Sequence, residues 1–389
     1  MGALDGVTVV TLEHAIAAPL CTRQLADHGA RVIKIERPGV GDFARAYDER
    51  VAGQASHFVW TNRSKESLTL DLKHAQAPQV LARLIERADV LVQNLAPGAA
   101  ARLGLSYEAL APIHPGLIVC DISGYGADGP DRDRKAYDLL IQSESGFLSV
   151  TGTPDEMAKA GCSIADIAAA MYAYSNILAA LIERGRTGRG RRIDVSMLES
   201  MVEWMGFPMY YAFDGAAPPP RAGAAHATIY PYGPFPAGDG KTVMLGIQNE
   251  REWQAFCAKV LGQPELATDP RFSTNPRRIA AQDALRAIIV GRFARLTTGE
   301  LLALLDDAQI ANAQVNDMAA VWAHPQLRAR GRWKTVATPL GPVPALLPPG
   351  LTRARMDAVP ALGQHNDSVL AGLGYDAAQI AQLRRDGVI

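Results

Sequence analysis

The chain has 389 residues, 48% hydrophobic and 20% charged, a globular profile too long for one ordinary core, so two domains are expected. Lys and Arg number 39 against 40 Asp and Glu, a formal charge of −1, so no global basic excess points to nucleic acid. Apolar runs are broken before membrane-spanning length, and MGALDGVTVV has neither the basic start nor the apolar core of a signal peptide, which fits a cytoplasmic protein without a membrane partner.

Residues 7–12 (VTVVTL) form a β-branched run that reads as a buried strand. A helix over 17–28 follows, stopped by Gly29, and RVIKIE at 31–36 is the next strand. Strand, helix, strand implies a parallel sheet with a right-handed crossover. Glu36 stands where a dinucleotide fold puts its ribose-binding acid. The first turn reads EHAIAAP, however, with no G-x-G-x-x-G, so nicotinamide binding is not expected. His14, with Glu13 beside it, sits in this turn. The loop ERPGVGDFAR carries Arg37 and Arg45, which can meet phosphate or carboxylate or can simply be solvated.

SKESLTLDLKH reads as a strand ending near Asp71, followed by a helix over 74–87 and the strand ADVLVQNL, which ends at Asn94. PGAAARLGL begins a short helix containing Arg102, and GLIVCDIS at 116–123 is a strand leading into GYGADGP. This alternation predicts a doubly wound, Rossmann-like α/β domain. Ligands in such sheets lie beyond the carboxyl ends of the strands, here 36–38, 94–97 and 123–126.

A long helix rich in alanine is predicted from Ser163. Ile164, Ile167, Met171, Ile177, Leu178, Leu181 and Ile182 put bulk on more than one side, so the helix is expected to be buried, ending at Gly185 and Gly188 before the strand RRIDVSM. Its first turn holds one acid, Asp166. Ser163-x-x-Asp166 resembles a capping box, which gives the acid a structural role. A carboxylate there can also be a nucleophile, kept ionised by the helix end, whose N–H groups would meet an oxyanion. The two roles are compatible.

Residues 214–241 are rich in Pro, Gly and Ala and read as a linker or crossing loop. A short strand at 242–248, an amphipathic helix NEREWQAFCAKVLG and helices over 275–305 follow. The expected layout is a large domain over 1–215 completed by 327–389, a linker at 216–229 and a smaller α+β domain over 230–326. Cys21, Cys120, Cys162 and Cys257 make no CxxC pair, so reduced thiols are expected, with neither zinc site nor disulfide framework.

Taken in order, ADHGARVIKIERPGVGD, NRSKESLTLDLK, ADVLVQNLAPGAAARLGL, KAYDLLIQSESGFLSVTG, GRTGRGRRIDVSMLES, DPRFSTN and the closing LGQHND…LGY…GVI make the chain resemble the class III CoA-transferases over nearly its full length. This family also contains α-methylacyl-CoA racemases. The resemblance implies an interlocked homodimer of two-domain chains. It implies that Asp166 is the nucleophile, and that His14, Ala15, Arg37, Leu70, Lys73, Asn94, Leu95, Arg102, Lys135 and Tyr137 contact CoA or line its thioester. No permanently bound cofactor or metal is implied; CoA and acyl-CoA are substrates. LGIQNEREW replaces the glycine-rich loop of some members, which makes Gln248 and Asn249 candidate substrate contacts, while Arg45 is a candidate partner for a second carboxylate. Tyr137 occupies the place of the racemase histidine and is a poor base near neutral pH, which favours transfer over racemisation. The closest likeness is to transferases of mesaconate, itaconate and citramalate, with intramolecular mesaconyl-CoA transfer, a racemase-like isomerase or a non-catalytic CoA binder as alternatives.

Overall fold

The computed structural model describes residues 2–389. Six strands form one sheet: β1 (Thr8–Leu12), β2 (Arg31–Glu36), β3 (Lys65–Thr69), β4 (Val90–Gln93), β5 (Ile118–Ser123) and β6 (Arg192–Ser196). Their order is β3-β2-β1-β4-β5-β6 and every pair is parallel. Side chains alternate between the two faces of such strands, and both faces are covered, which is why these segments read as continuous apolar runs. Val10, Leu12, Ile33, Ile35, Leu91 and Val119 share one core with the helices Ala77–Ile85, Asn366–Gly372 and Ala377–Arg385. The C-terminal segment thus completes the layer over this sheet. The other face carries the first helix (Ala17–Asp27) and the long helix (Ile164–Thr187), packed on each other.

The long helix is buried on one side rather than all round. Ala165, Ala168, Ala169, Ala170, Ala173 and Ala180 are buried with Ile177, whereas Met171 and Ile182 are 40% and 61% exposed. Alanine side chains let the backbones approach closely, and at the margin of that contact Gln24 of the first helix reaches Met171 while His28 stacks on Tyr174. Gly188 ends the helix in the left-handed region (φ 70°), while Gly185 lies inside it.

The chain divides into two compact units. One comprises the chain up to Gly146 with Ala160–Gly206 and Gln326–Ile389; the other comprises Phe147–Lys159 and Phe207–Pro325. These bounds differ from the sequence-based ones near 215 and 326. The excursion at Phe147–Lys159 has no compositional break to mark it. In the second unit β7 (Tyr232–Pro236), β8 (Thr242–Gly246) and β9 (Ala311–Gln314) form an antiparallel sheet. Its core holds Phe235, Val243, Leu245, Trp253, Phe256 and Phe293. The expected amphipathic helix is two windings here, an α-helix over Glu250–Ala255 and a wider π-type turn over Phe256–Leu261.

Candidate active site

The sheet order reverses between β1 and β4, the topological switch point where open α/β sheets bind ligands. The turn after β1 is built to fixed dimensions there. Asn94, just past β4, accepts the His14 N–H and donates its amide to the His14 carbonyl, both at 2.9 Å. The Leu95 N–H is held by Gln93 Oε1 at 2.8 Å. Ala15 is left-handed (φ 61°), a conformation costing a side-chain-bearing residue roughly 1–2 kcal/mol. Its N–H donates to Asp42 Oδ1 at 3.1 Å. The chain then enters the first helix, whose N-cap, Ile16, offers no side-chain acceptor. Its opening N–H groups therefore await an acceptor from elsewhere, and the Ala17 N–H finds one in the carboxylate of Asp166.

Beneath the turn lies a fully buried ionic network. Glu13 Oε1 meets Lys65 at 2.6 Å and Lys34 at 3.4 Å, and its Oε2 accepts from Thr11 and Thr22 at 2.9 and 2.6 Å. Lys34 continues to Asp42 Oδ2 at 2.7 Å, and Lys65 to the Pro19 carbonyl and Asn62. Burial alone would raise the Glu13 pKa, but the two lysines and the hydrogen bonds hold it down at about 2. His14 stacks on Phe43 (5.3 Å between ring centroids), and burial lowers its pKa, against the pull of Asp42.

Asp166 sits in the first turn of the long helix and is partly exposed. The capping box expected from Ser163 is absent, since the Ser163 side chain makes no cap hydrogen bond. Asp138, the first residue of the helix Asp138–Glu144, does the capping: its Oδ1 accepts the N–H groups of Ala165 (2.8 Å) and Asp166 (3.4 Å). The Ile164 and Ile167 N–H groups go to the carbonyls of Cys162 and Ser163. The donors expected to meet an oxyanion from this helix are thus engaged. The expectation that the helix end keeps Asp166 ionised also fails. Burial and the Asp138 charge push its pKa up to about 7, against the opposing effect of the Ala17 hydrogen bond.

Two phenols complete the surroundings. Tyr47 has its pKa pushed up to about 12 by burial and by Asp42, Asp166 and Tyr137, which puts Tyr47 and Tyr137 in one site with Asp166. Tyr47 is anchored by ring contacts to Phe43 and His57 (5.8 and 5.4 Å). The sequence reading missed Tyr47 and Asp138. The signals available were the aromatic pair in FARAY and the acid adjoining Tyr137.

The other expected residues divide sharply. Arg37, Lys73, Arg102 and Lys135 are exposed, follow β2, β3, β4 and β5 respectively, and form no salt bridge among the described residues. They are available to an anion at the carboxyl edge of the sheet. Leu70 is not: its side chain is 1% exposed and belongs to the core. Arg45 is also engaged. Its guanidinium grips Glu36 through two 2.8 Å bonds and lies 3.7 Å over the Phe58 ring, so it is not a free partner for a second carboxylate. The same pairing, with Ser67 at 2.6 Å, removes Glu36 as a ribose acid. Gln248 and Asn249 lie in the second unit, where the Asn249 side chain caps the helix Glu250–Ala255 by accepting the Glu252 N–H at 2.9 Å.

The fold and site thus define a doubly wound α/β protein with an acid in place of a glycine fingerprint at the switch point. The chain belongs to CoA-transferase family III, which it matches over residues 4–366, and it is a class III CoA-transferase. It is 33% identical to the succinyl-CoA:glutarate CoA-transferase of Mus musculus, across 100% of this chain and 91% of that protein. It is 32% identical to the succinyl-CoA--D-citramalate CoA-transferase of Chloroflexus aurantiacus, across 98% and 97%. A crystal structure of a CaiB/BaiF family protein from Brucella suis superposes with a TM-score of 0.83 at 35% identity, covering 96% of this chain and 99% of that one.

Two consequences are measurable. Removing one partner of a buried ion pair strands the other, so Glu13→Gln, which leaves two buried lysines facing one carboxylate, should cost about 3–5 kcal/mol in urea unfolding. For Asp166 the folded pKa lies above the unfolded one, so the folded state keeps a proton the unfolded state loses, and stability falls as pH rises from about 4 to about 7. Asp166→Asn should therefore gain about 1–3 kcal/mol at pH 8 and nothing at pH 4. An equal gain at both pH values would contradict the buried charge.

Proposed function

We propose that this protein transfers CoA from succinyl-CoA to a short dicarboxylic acid, of the mesaconate, itaconate or citramalate type, through covalent intermediates on Asp166. The observation that carries this reading is the Asp166 carboxylate, partly exposed and receiving the Ala17 N–H at the start of the first helix. Relatives named for glutarate and citramalate support a four- or five-carbon dicarboxylate as the acceptor class. The unpaired Arg37, Lys73, Arg102 and Lys135 support a polyphosphate-bearing ligand at that edge. Tyr137, next to Asp138 and near Tyr47, stands in place of a histidine, which supports transfer over racemisation.

In the proposed sequence the ionised Asp166 attacks the thioester carbonyl. The C–S bond breaks, giving CoA thiolate and an aspartyl–succinyl anhydride. The thiolate then attacks the aspartyl carbonyl, which releases succinate and leaves an aspartyl-CoA thioester. The acceptor carboxylate attacks that thioester, forming a second anhydride and thiolate. The thiolate attacks the acceptor's acyl carbon, which gives the new acyl-CoA and restores Asp166. The Ala17 N–H, already on an Asp166 oxygen, would steady the charge that develops there when the aspartyl carbonyl is attacked. An anhydride requires a dry site, and bound acyl-CoA covering the exposed Tyr47 and Tyr137 would help to supply one.

The homodimer belongs to this proposal. Met171, Ile182 and Trp204 are exposed by 40%, 61% and 45%, an apolar presence that a second copy would cover. Light scattering is expected to give twice the 41.6 kDa chain mass, and a monomer at micromolar concentration would remove the dimer from the reading.

Chemistry is tested by intact-mass analysis after mixing with succinyl-CoA and quenching with hydroxylamine or borohydride. A modification mapping to Asp166 is expected, discharged on adding mesaconate, itaconate, citramalate or glutarate, with oxalate as a comparison. Asp166→Ala should lower kcat/KM by at least ~10³-fold. Turnover without modification of Asp166, or deuterium exchange at the α-carbon of an acyl-CoA, would overturn the transferase mechanism.

A further inference from the structure

Asp138 had no role in the sequence reading, yet its carboxylate holds the backbone where the nucleophile's helix begins. Oδ1 accepts the N–H groups of Ala165 and of Asp166 itself, at 2.8 and 3.4 Å. Oδ2 accepts the amide of Gln142 at 2.7 Å. Gln142 is fully buried, and its own Oε1 accepts the Ala160 N–H at 2.9 Å. One carboxylate and one amide therefore tie both ends of the 160–165 segment to the helix Asp138–Glu144. A serine at position 163 could have capped the helix without charge. The charged cap comes from another element instead and lies against a second acid.

We propose that Asp138 is the positioning residue of the nucleophile: it caps the long helix in place of Ser163 and so sets a fixed negative charge against Asp166, which governs the reactivity of that carboxylate. The inference rests on Asp166 being the nucleophile. Like charges in contact hold back ionisation of the one less well satisfied. Asp138 is the better satisfied, with three N–H donors against the single Ala17 N–H on Asp166. Asp166 is thus the acid that keeps its proton, in line with its rise to about 7. Losing that proton to solvent yields a more basic carboxylate, hence a better nucleophile, than an ordinary helix-start aspartate. The remaining titratable groups around it are the phenols of Tyr47 and Tyr137. The first helix, β5, β6 and the helix Met197–Trp204 also pack on the long helix, but bring no charged group to bear on Asp166 among the described residues.

The test is the pH dependence of single-turnover modification of Asp166 by succinyl-CoA. In the wild type the rate should rise with pH through about 7. Asp138→Asn keeps the Oδ1 acceptor and removes the charge. Its acid limb should move down by a unit or more, raising the rate at pH 5.5, relative to its own plateau, about tenfold. The double variant Asp138→Asn/Gln142→Glu keeps every hydrogen bond and moves the charge one residue away, so its limb should fall between the two. An unmoved limb in a folded Asp138→Asn, with the wild type still modified, would overturn the role of Asp138. No modification of the wild type at any pH would instead overturn the reading of Asp166. Should neither variant fold, carboxyl ¹³C titration of the wild type decides. The Asp166 signal, identified by its loss in Asp166→Asn, should titrate near 7 and be felt at a second carboxyl; an isolated titration near 4 would refute the proposal.

Discussion

The Glu13–Lys34–Asp42 chain beneath the first turn is the constraint on which the site depends. Two lysines, two carboxylates and Asn62 are withdrawn from water together, at a desolvation cost that only near-complete hydrogen bonding can offset. What the arrangement yields is geometric. Asp42 reaches from the network to the Ala15 N–H, while Asn94 grips both sides of the His14 peptide from across the switch point. A left-handed alanine persists when its surroundings over-determine it, and here they do. Because the turn is fixed, so is the start of the first helix, and with it the N–H aimed at Asp166.

Two helix N-termini meet at Asp166 and they contribute opposite things. The long helix, on which the acid resides, has its opening donors engaged by Asp138 and by local carbonyls. Its positive end is therefore masked by a carboxylate. The first helix has no cap of its own and leaves the Ala17 N–H for Asp166. Asp166 thus has one donor from a foreign helix and one negative neighbour at its own. That balance, rather than the dipole of the helix carrying it, sets its ionisation.

Much of this was legible in sequence. Strand-like runs marked all six strands of the sheet, and the alanines from 165 to 180 marked the long helix. Local pattern failed where the partner is distant in sequence. Ser163-x-x-Asp166 has capping-box spacing, but a carboxylate 25 residues upstream of Ser163, at Asp138, outcompetes the serine. Arg45 looked free in a Pro/Gly loop, yet Glu36, Ser67 and the Pro360 carbonyl form a built pocket for the loop. The side of the long helix that stays exposed was illegible for a related reason, since periodicity gives the faces and not what lies against them.

The strand order equals that of dinucleotide-binding folds, yet the chemistry at its crevice differs in each part. Glycines that would admit a pyrophosphate to the first helix are replaced by HAIAAP, so that helix end serves an acid of the protein instead of a phosphate of the ligand. The acid ending β2 is turned inward to Arg45. Cations that could receive phosphates stand further out, after β2 to β5, without a salt bridge among the described residues, whereas the buried lysines are paired. A net charge of −1 conceals this division, because a total says nothing of where its charges stand. The helix start is thereby left to Asp166, a place that a phosphate seated on it would take.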